Sequence, residues 1–302
     1  MPRAFVLPPV DRLPGEFHAS AGVGASSRSR TVAPGPGTLE DDERLFGAIP
    51  RGPLDAAAVA LLGGLPELQA LSLADLHLDD DAASGLAHLA SLERLSLTRV
   101  ALTPALVDAL ARAPALTQLS ARGAAVDDAI AGALARLPGL RSLSLVGDGL
   151  ALELGDPGLA ALGALPLEHL EIQAAPKITG VGLGPFGDAA RLTSLVLNVC
   201  AELSEAAVIE HVARLVRLIY LDLSFNPRLG DPAIAALAGL PALDGLMLRG
   251  LGRLGPTGLA ALAALPSLRS LHLSTAKKMK RFKASDLDAL ARARPGLSIS
   301  RT

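Results

Sequence analysis

One phrase recurs along this chain: L-x-x-L-x-L. It opens "LERLSLTRVAL" at Leu92, "LRSLSLVGDGL" at Leu140, "LTSLVLNVCAEL" at Leu192, "LIYLDLSFNPRL" at Leu218, "LDGLMLRGLGRL" at Leu243 and "LRSLHLSTAKKM" at Leu268. The leading leucines fall at Leu68, Leu92, Leu116, Leu140, Leu167, Leu192, Leu218, Leu243, Leu268 and Leu297, separated by 24 to 29 residues. A period of that length marks a repeat array. Within each unit the L-x-L piece alternates with period two, which predicts a strand with every second side chain facing a core. Segments such as "DPAIAALAGLP" and "GPTGLAALAALP" follow, with apolar residues three and four apart, which predicts a short helix. Asp127, Asp156, Ser204 and Asp231 stand at helix starts, where a side-chain oxygen accepts from free amides. Pro157 and Pro232 suit a first helical turn. Pro138, Pro166, Pro241 and Pro266 follow a terminal Leu and stop the helix. No single unit buries its apolar face alone, so the units are expected to fold as a cooperative stack.

Over residues 65–302 the chain resembles the leucine-rich-repeat family. The closest subclass is the cysteine-containing repeats of the ribonuclease-inhibitor-like group. "LTSLVLNVCAELSEAAV" places Cys200 at that subclass's cysteine position, and Asn226 takes the equivalent place in the next unit. Leu76, Val100, Ala124 and Asp148 stand there in other units, a departure from the pattern. The resemblance implies an α/β solenoid, a horseshoe of nine to ten repeats with a parallel concave sheet and short convex helices. It also implies a protein partner bound along the concave face.

Composition narrows the remaining classes. The chain has 302 residues, 50% of them hydrophobic, and a formal net charge of -2. That length supports a substantial core, and the near-neutral balance argues against a general nucleic-acid binder. Cys200 is the only cysteine, which excludes an intramolecular disulfide and a thiolate metal cluster within the chain. Pro8 and Pro9 interrupt the apolar start, so no signal-peptide core is read there. No apolar run approaches the length of a membrane span. The expectation is a soluble, cytoplasmic chain. Residues 1–37, with "ASAGVGASSRSRTVAPGPG", are rich in Gly, Ser and Pro and are expected to be disordered. Residues 38–64 are expected to form two cap helices, "LEDDERLFGAI" after Thr38 and "LDAAAVALLGGL" after Pro53. Residues 65–302 carry the repeats. At the far end "GLSISRT" reads as a last strand whose open edge offers pairing with another copy.

Chemistry leaves few traces. "GLGPFG", residues 182–187, matches G-x-G-x-x-G, but Pro185 and the repeat register place it in the helical half of a unit, where it reads as a Gly-rich helical segment. His169 and His272 face outward four rungs apart, roughly 19 Å at about 4.8 Å per strand, too far for one metal. Glu171 and Asp222 share an outward column two rungs apart, roughly 10 Å, on an open sheet that offers no burial to separate their pKa values. No nucleophile–base constellation is defined by spacing. No cofactor and no metal are expected, and the chain is read as non-enzymatic.

The outward positions carry the functional reading. Early units present small residues there, such as Ser72, Ser96, Ser120 and Ser142. Later units present Glu171, Asn198, Tyr220, Asp222, Phe225, Met247, Arg249 and His272, and these are the candidate partner-binding residues. Tyr and Arg are typical interface anchors. The leading reading is a protein-interaction scaffold. A second is a substrate receptor of an F-box-type ubiquitin ligase, because the repeats are similar to those that follow an F-box, although residues 1–64 show no F-box helices. A third uses "KKMKRFK", residues 277–283, which hold four of the five lysines. Lys277, Lys278, Lys280, Arg281 and Lys283 would point to water and attract an anionic ligand such as nucleic acid or acidic lipid. The favoured reading of that run is a cap on the end of the core, with Met279 and Phe282 turned inward and the lysines keeping the end wet.

Overall fold

The structure, a computed structural model, describes residues 17–20, 29–31, 47–50, 59, 68–187, 191–274 and 283–301. The chain divides into two compact units, one of residues 1–124 and 136–140, the other of residues 125–135 and 141–302.

In the first unit, strands β1 (Phe17–Ser20), β2 (Ser29–Thr31), β3 (Gly47–Pro50), β4 (Ala70–Ala74), β5 (Arg94–Thr98) and β6 (Gln118–Arg122) form a sheet. β3 to β6 run parallel, with Ala70 opposite Arg94 and Arg94 opposite Gln118. β1 pairs antiparallel with both β2 and β3. Two expectations are corrected here. Within the segment read as disordered, 17–20 and 29–31 are strands, because an antiparallel ladder gives their backbone groups partners without calling on an apolar core. Within the segment read as helical, 47–50 is a strand. Its "GAIP" joins a poor helix former, a β-branched residue and a proline that blocks continuation, and its Gly47 and Ala48 pair with β4. Val59, the one described residue of the second expected cap helix, is helical and buried.

In the second unit, β7 (Ser142–Val146), β8 (His169–Gln173), β9 (Ser194–Asn198), β10 (Tyr220–Asp222), β11 (Gly245–Leu248), β12 (Ser270–Leu273) and β13 (Ser298–Arg301) follow one another in an all-parallel sheet. The register aligns Ser142, His169, Ser194, Tyr220, Gly245, Ser270 and Ser298 in one column, and the residues two further on in the next. Helices such as Asp156–Leu162, Asp231–Ala236 and Pro256–Ala261 connect the strands. The stretch holding "GLGPFG" is a 3-10 turn, Val181–Phe186, because Pro185 lacks the N–H that an α-helix would need there.

The repeat leucines build the core as their spacing requires. The leading leucines from Leu68 to Leu268 are buried, and Leu297 is half-buried. The inward strand pairs, Leu95 and Leu97, Leu221 and Leu223, Leu246 and Leu248, are buried too. At the strand ends the backbone turns left-handed. Asp75, Arg99, Ala174, Val199 and Phe225 have φ of 52–61°, and Gly123 and Gly250 share the position. Each turn directs an amide to the next strand: Ala174 donates to the Asn198 carbonyl, Val199 to Ser224 and Phe225 to Arg249. A non-glycine residue pays roughly 1–2 kcal/mol for this conformation.

Inside the turn of two consecutive repeats lie Cys200 and Asn226, both fully buried. Asn226 donates through Nδ2 to the carbonyls of Leu197 (2.8 Å) and Leu223 (2.9 Å), and its Oδ1 accepts from the Cys200 amide (2.9 Å). In the units that lack such a residue the place is taken by apolar side chains, Val100 and Ala124 buried and Leu76 half-buried, whereas Asp148 is exposed.

Helix starts are held in two ways. Asp79, Thr103, Asp127 and Ser204 cap their own helices, accepting from the amides of Ala82, Leu106, Ile130 and Ala207. Asp156 and Asp231 do not, contrary to the expectation. They are the first helical residues behind glycine N-caps, and their carboxylates reach the next repeat. Asp156 accepts from the amides of Thr179, Gly180 and Gly182, and Asp231 from that of Gly255 at 2.5 Å. Asp128 does the same for Gly155 (2.8 Å) and Gly158 (3.0 Å). The close approach requires glycine: a Cβ at Gly158 would stand 2.6 Å from Asp128 Oδ1, and one at Gly258 2.6 Å from Asp231 Oδ1. Surface ion pairs also join successive repeats, among them Asp75–Arg99, Arg141–Glu168, Glu153–Lys177 and Asp244–Arg269. They are exposed, and such pairs contribute little.

Two measurements check this packing. Leu221 is 0% exposed, so Leu221→Ala should cost about 2–5 kcal/mol, read as a lowered denaturation midpoint. An unchanged midpoint would contradict the register. Desolvation pushes the Cys200 thiol up from 9.0 to about 12. At pH 8 the native thiol should therefore react with iodoacetamide about a hundredfold or more slowly than the unfolded chain's. The neutral thiol is the folded form, so this group's contribution is intact below about pH 9 and declines as pH rises towards 12.

Candidate functional site on the outward sheet face

Alternation along each strand of the second unit leaves every second side chain on the side away from the leucine core. In the first column Tyr220 stands beside Gly245, in the second Glu171, Val196, Asp222, Met247, His272 and Ser300 follow in ladder order, and in the third Gln173 stands beside Asn198. Past β10 and β11 the Ser224 carbonyl accepts from the Val199 amide and the Arg249 carbonyl from the Phe225 amide. The hydroxyls of Ser224 and Ser274 accept from the amides of Arg249 and Gly250, so the third row runs on through Ser224, Arg249 and Ser274.

The large side chains are positioned by small neighbours. The Tyr220 ring leans across to β11, where a Cβ on Gly245 would lie 3.0 Å from its Cδ2. Its hydroxyl donates to Met247 Sδ at 2.9 Å. Burial, with the Asp222 charge adding, pushes the Tyr220 phenol up. The Phe225 ring leans the same way: a Cβ on Gly250 would lie 2.5 Å from its Cδ1. The Arg249 guanidinium lies over that ring, 5.7 Å from its centre, within cation–π range. Phe225 stays 46% exposed, and so does Val199 one rung away.

The acids and polar groups are engaged to different degrees. Glu171 accepts from the Ser144 hydroxyl (2.6 Å) and from Gln173 Nε2. Asp222 lies in the expected column, yet it is only 4% exposed and accepts from the Ser224 amide (2.8 Å). Its ladder neighbours Val196 and Met247 flank it, so it forms part of the frame under the face rather than a free contact. Asn198 is 8% exposed, and its Oδ1 has no hydrogen-bond partner among the described residues. Arg249 Nε is likewise enclosed and unpartnered. His272 lies between two hydroxyls, with Ser300 Oγ 2.5 Å from Nδ1 and Ser270 Oγ 3.1 Å from Nε2. The structure thus brings together Asn198, Tyr220, Asp222, Phe225, Met247 and Arg249 on three successive strands, with Glu171 on one flank and His272 on the other. Exposed Val199, at a rim position, is outward by the repeat register but was not among the candidate partner-binding residues. Its signal was the position before Cys200, equivalent to Phe225 before Asn226.

Other candidates resolve differently. The amides of Gly180 and Gly182 are occupied by Asp156, so "GLGPFG" offers no phosphate cradle. Of the basic run, residues 277–282 lie outside the described residues, as do Met279 and Phe282. Lys283 precedes helix Ala284–Ala293, and its amide donates to Asp286. No group of three metal-ligating side chains occurs among the described residues, and none of their helices is long and apolar enough to cross a membrane. β13 is last in the strand order, and its outer edge has no strand partner among the described residues.

No family model matches the chain, and no curated protein matches it. Solved structures do. The yeast Rad7 and Elc1 complex matches with a TM-score of 0.62 and 20% identity, over 82% of this chain and 66% of that one. The chain therefore spans just under two thirds of that relative's length. An internalin, InlF from Listeria monocytogenes, matches with a TM-score of 0.47 and 21% identity, over 80% of this chain and 69% of that one. The parallel strands alternating with short helices, the buried L-x-x-L-x-L leucines and the likeness to Rad7 agree: the chain has the leucine-rich-repeat fold.

Proposed function

We propose that this protein is a non-enzymatic interaction scaffold whose protein partner engages the outward sheet face of the second unit. The observation that carries the reading is the group Tyr220, Phe225, Met247 and Arg249 on two adjacent strands, with both rings seated over glycines. Tyrosine and arginine dominate binding energy at interfaces, and seating the rings in advance lowers the ordering cost of association. Exposed Val199 widens the apolar part of the surface, and Glu171 and His272 sit at its flanks. The structure of Rad7, seen in complex with Elc1, supports a scaffold reading for a chain of this fold. The Cys200 and Asn226 turn supports placing these repeats with the cysteine-containing, ribonuclease-inhibitor-like subclass.

The test is affinity capture from a native lysate, with and without nuclease, using the wild type, a Tyr220→Ala/Arg249→Ala variant and a Ser96→Ala/Ser120→Ala control. A partner should be held about tenfold or more weakly by the first variant and equally well by the control. Equal weakening by both pairs would place the contact elsewhere.

A further inference from the structure

The rim of the sheet face shows a costly choice of residues. Glycine adopts a left-handed backbone freely, and it holds this position at Gly123 and Gly250. Yet two adjacent rungs carry Val199 (φ 58°) and Phe225 (φ 60°), a β-branched and a bulky residue, for which this conformation is a genuine outlier. Neither side chain is hidden by way of compensation, since each is 46% exposed. Strained, exposed apolar residues side by side point to a surface that another molecule covers.

The neighbouring row says what that molecule carries. The two acids nearby are already answered, Glu171 by Ser144 and Gln173, and Asp222 by the Ser224 amide. Arg249 is not: it forms no ion pair among the described residues, and its Nε has no acceptor. Two rungs away in the same row, nine-tenths-buried Asn198 has an Oδ1 with no donor. The surface of this row therefore lacks one anionic acceptor, at Arg249, while the Asn198 oxygen is enclosed beneath it. Two rungs span roughly 10 Å, which is about three residues of an extended chain. A single guanidinium with Asp222 in the adjoining column suits a carboxylate better than a dianionic phosphate.

We propose that Arg249, with the rim residues Val199 and Phe225, binds an extended peptide segment bearing an Asp or Glu, whose carboxylate meets Arg249, while an aliphatic or aromatic side chain within three residues of it rests on Val199 and Phe225. The inference rests on the scaffold reading of the same face and adds to it the chemistry of the partner.

The test uses the full chain and an array of end-capped octapeptides randomised at every position. Retained peptides are remade in pairs that differ only in Asp/Glu against Asn/Gln, and affinities are read by fluorescence anisotropy. The wild type should prefer the acidic member by about tenfold, as for a charged pair at an interface. Arg249→Gln should bring the two members to within about twofold, and Arg249→Lys should keep part of the difference. Val199→Gly with Phe225→Gly should weaken all retained peptides by about tenfold or more. Glycine relieves the rim strain, so the midpoint of thermal unfolding should not fall in step with binding. The proposal is overturned if no peptide is retained, if the wild type binds amide and acid alike, or if Arg249→Gln keeps the preference. The scaffold reading fails separately. A captured partner that depends on Tyr220 and Arg249 but contacts the face through a segment without a carboxylate would sink this inference and leave that reading intact.

Discussion

The first amides of a helix need an acceptor, and along much of the second unit that acceptor belongs to the repeat before. Asp128 serves Gly155 and Gly158, Asp156 serves Thr179, Gly180 and Gly182, and Asp231 serves Gly255. Charge-assisted bonds of this kind are among the stronger ones a fold can make. They act at the helical side of those junctions, while the parallel ladder acts at the strand side. With both sides bonded, one repeat has little freedom to slide or rotate on the next. That fixes the columns of the sheet face, because a register slip of one residue would turn every outward side chain into the core.

The site inherits this rigidity. Tyr220 and Met247 come within hydrogen-bonding distance because β10 and β11 are locked in register, and Tyr220 finds room because the residue opposite is Gly245. Phe225 depends on Gly250 in the same way. The glycines here make space for neighbours' rings. That differs from their role at Gly158 and Gly258, where the backbone must come close to a carboxylate. Small residues thus hold the stack together on the helical side and shape the surface on the sheet side.

How much of this was legible depended on whether the cause was local. The L-x-x-L-x-L phrase located the strands because a period of two and a fixed repeat length leave one register. The chemistry of Asn226 was legible too, since a polar residue inside a turn must find backbone partners. Caps at Asp127 and Ser204 were local, and their reading held. Asp156 and Asp231 look the same in sequence, but they sit one residue further into the helix and bond across a junction that no local pattern displays. Asp222 stood in the right column, yet its burial is set by neighbours more than twenty residues away. The strand at Gly47–Pro50 was hidden because its partner, Ala70–Ala74, lies beyond a segment with no alternation of its own.

The borrowed caps also give the array a grammar. A helix that opens on Thr103, Asp127 or Ser204 brings its own acceptor, so its cap asks for no particular side chain in the unit that precedes it. A helix that opens on Gly155 or Gly255 depends on one predecessor, the unit carrying Asp128 or Asp231. Duplication, deletion or recombination of units is therefore tolerated at the first kind of seam and penalised at the second. By this chemistry the natural seams for adding or removing a unit are those where a helix caps itself.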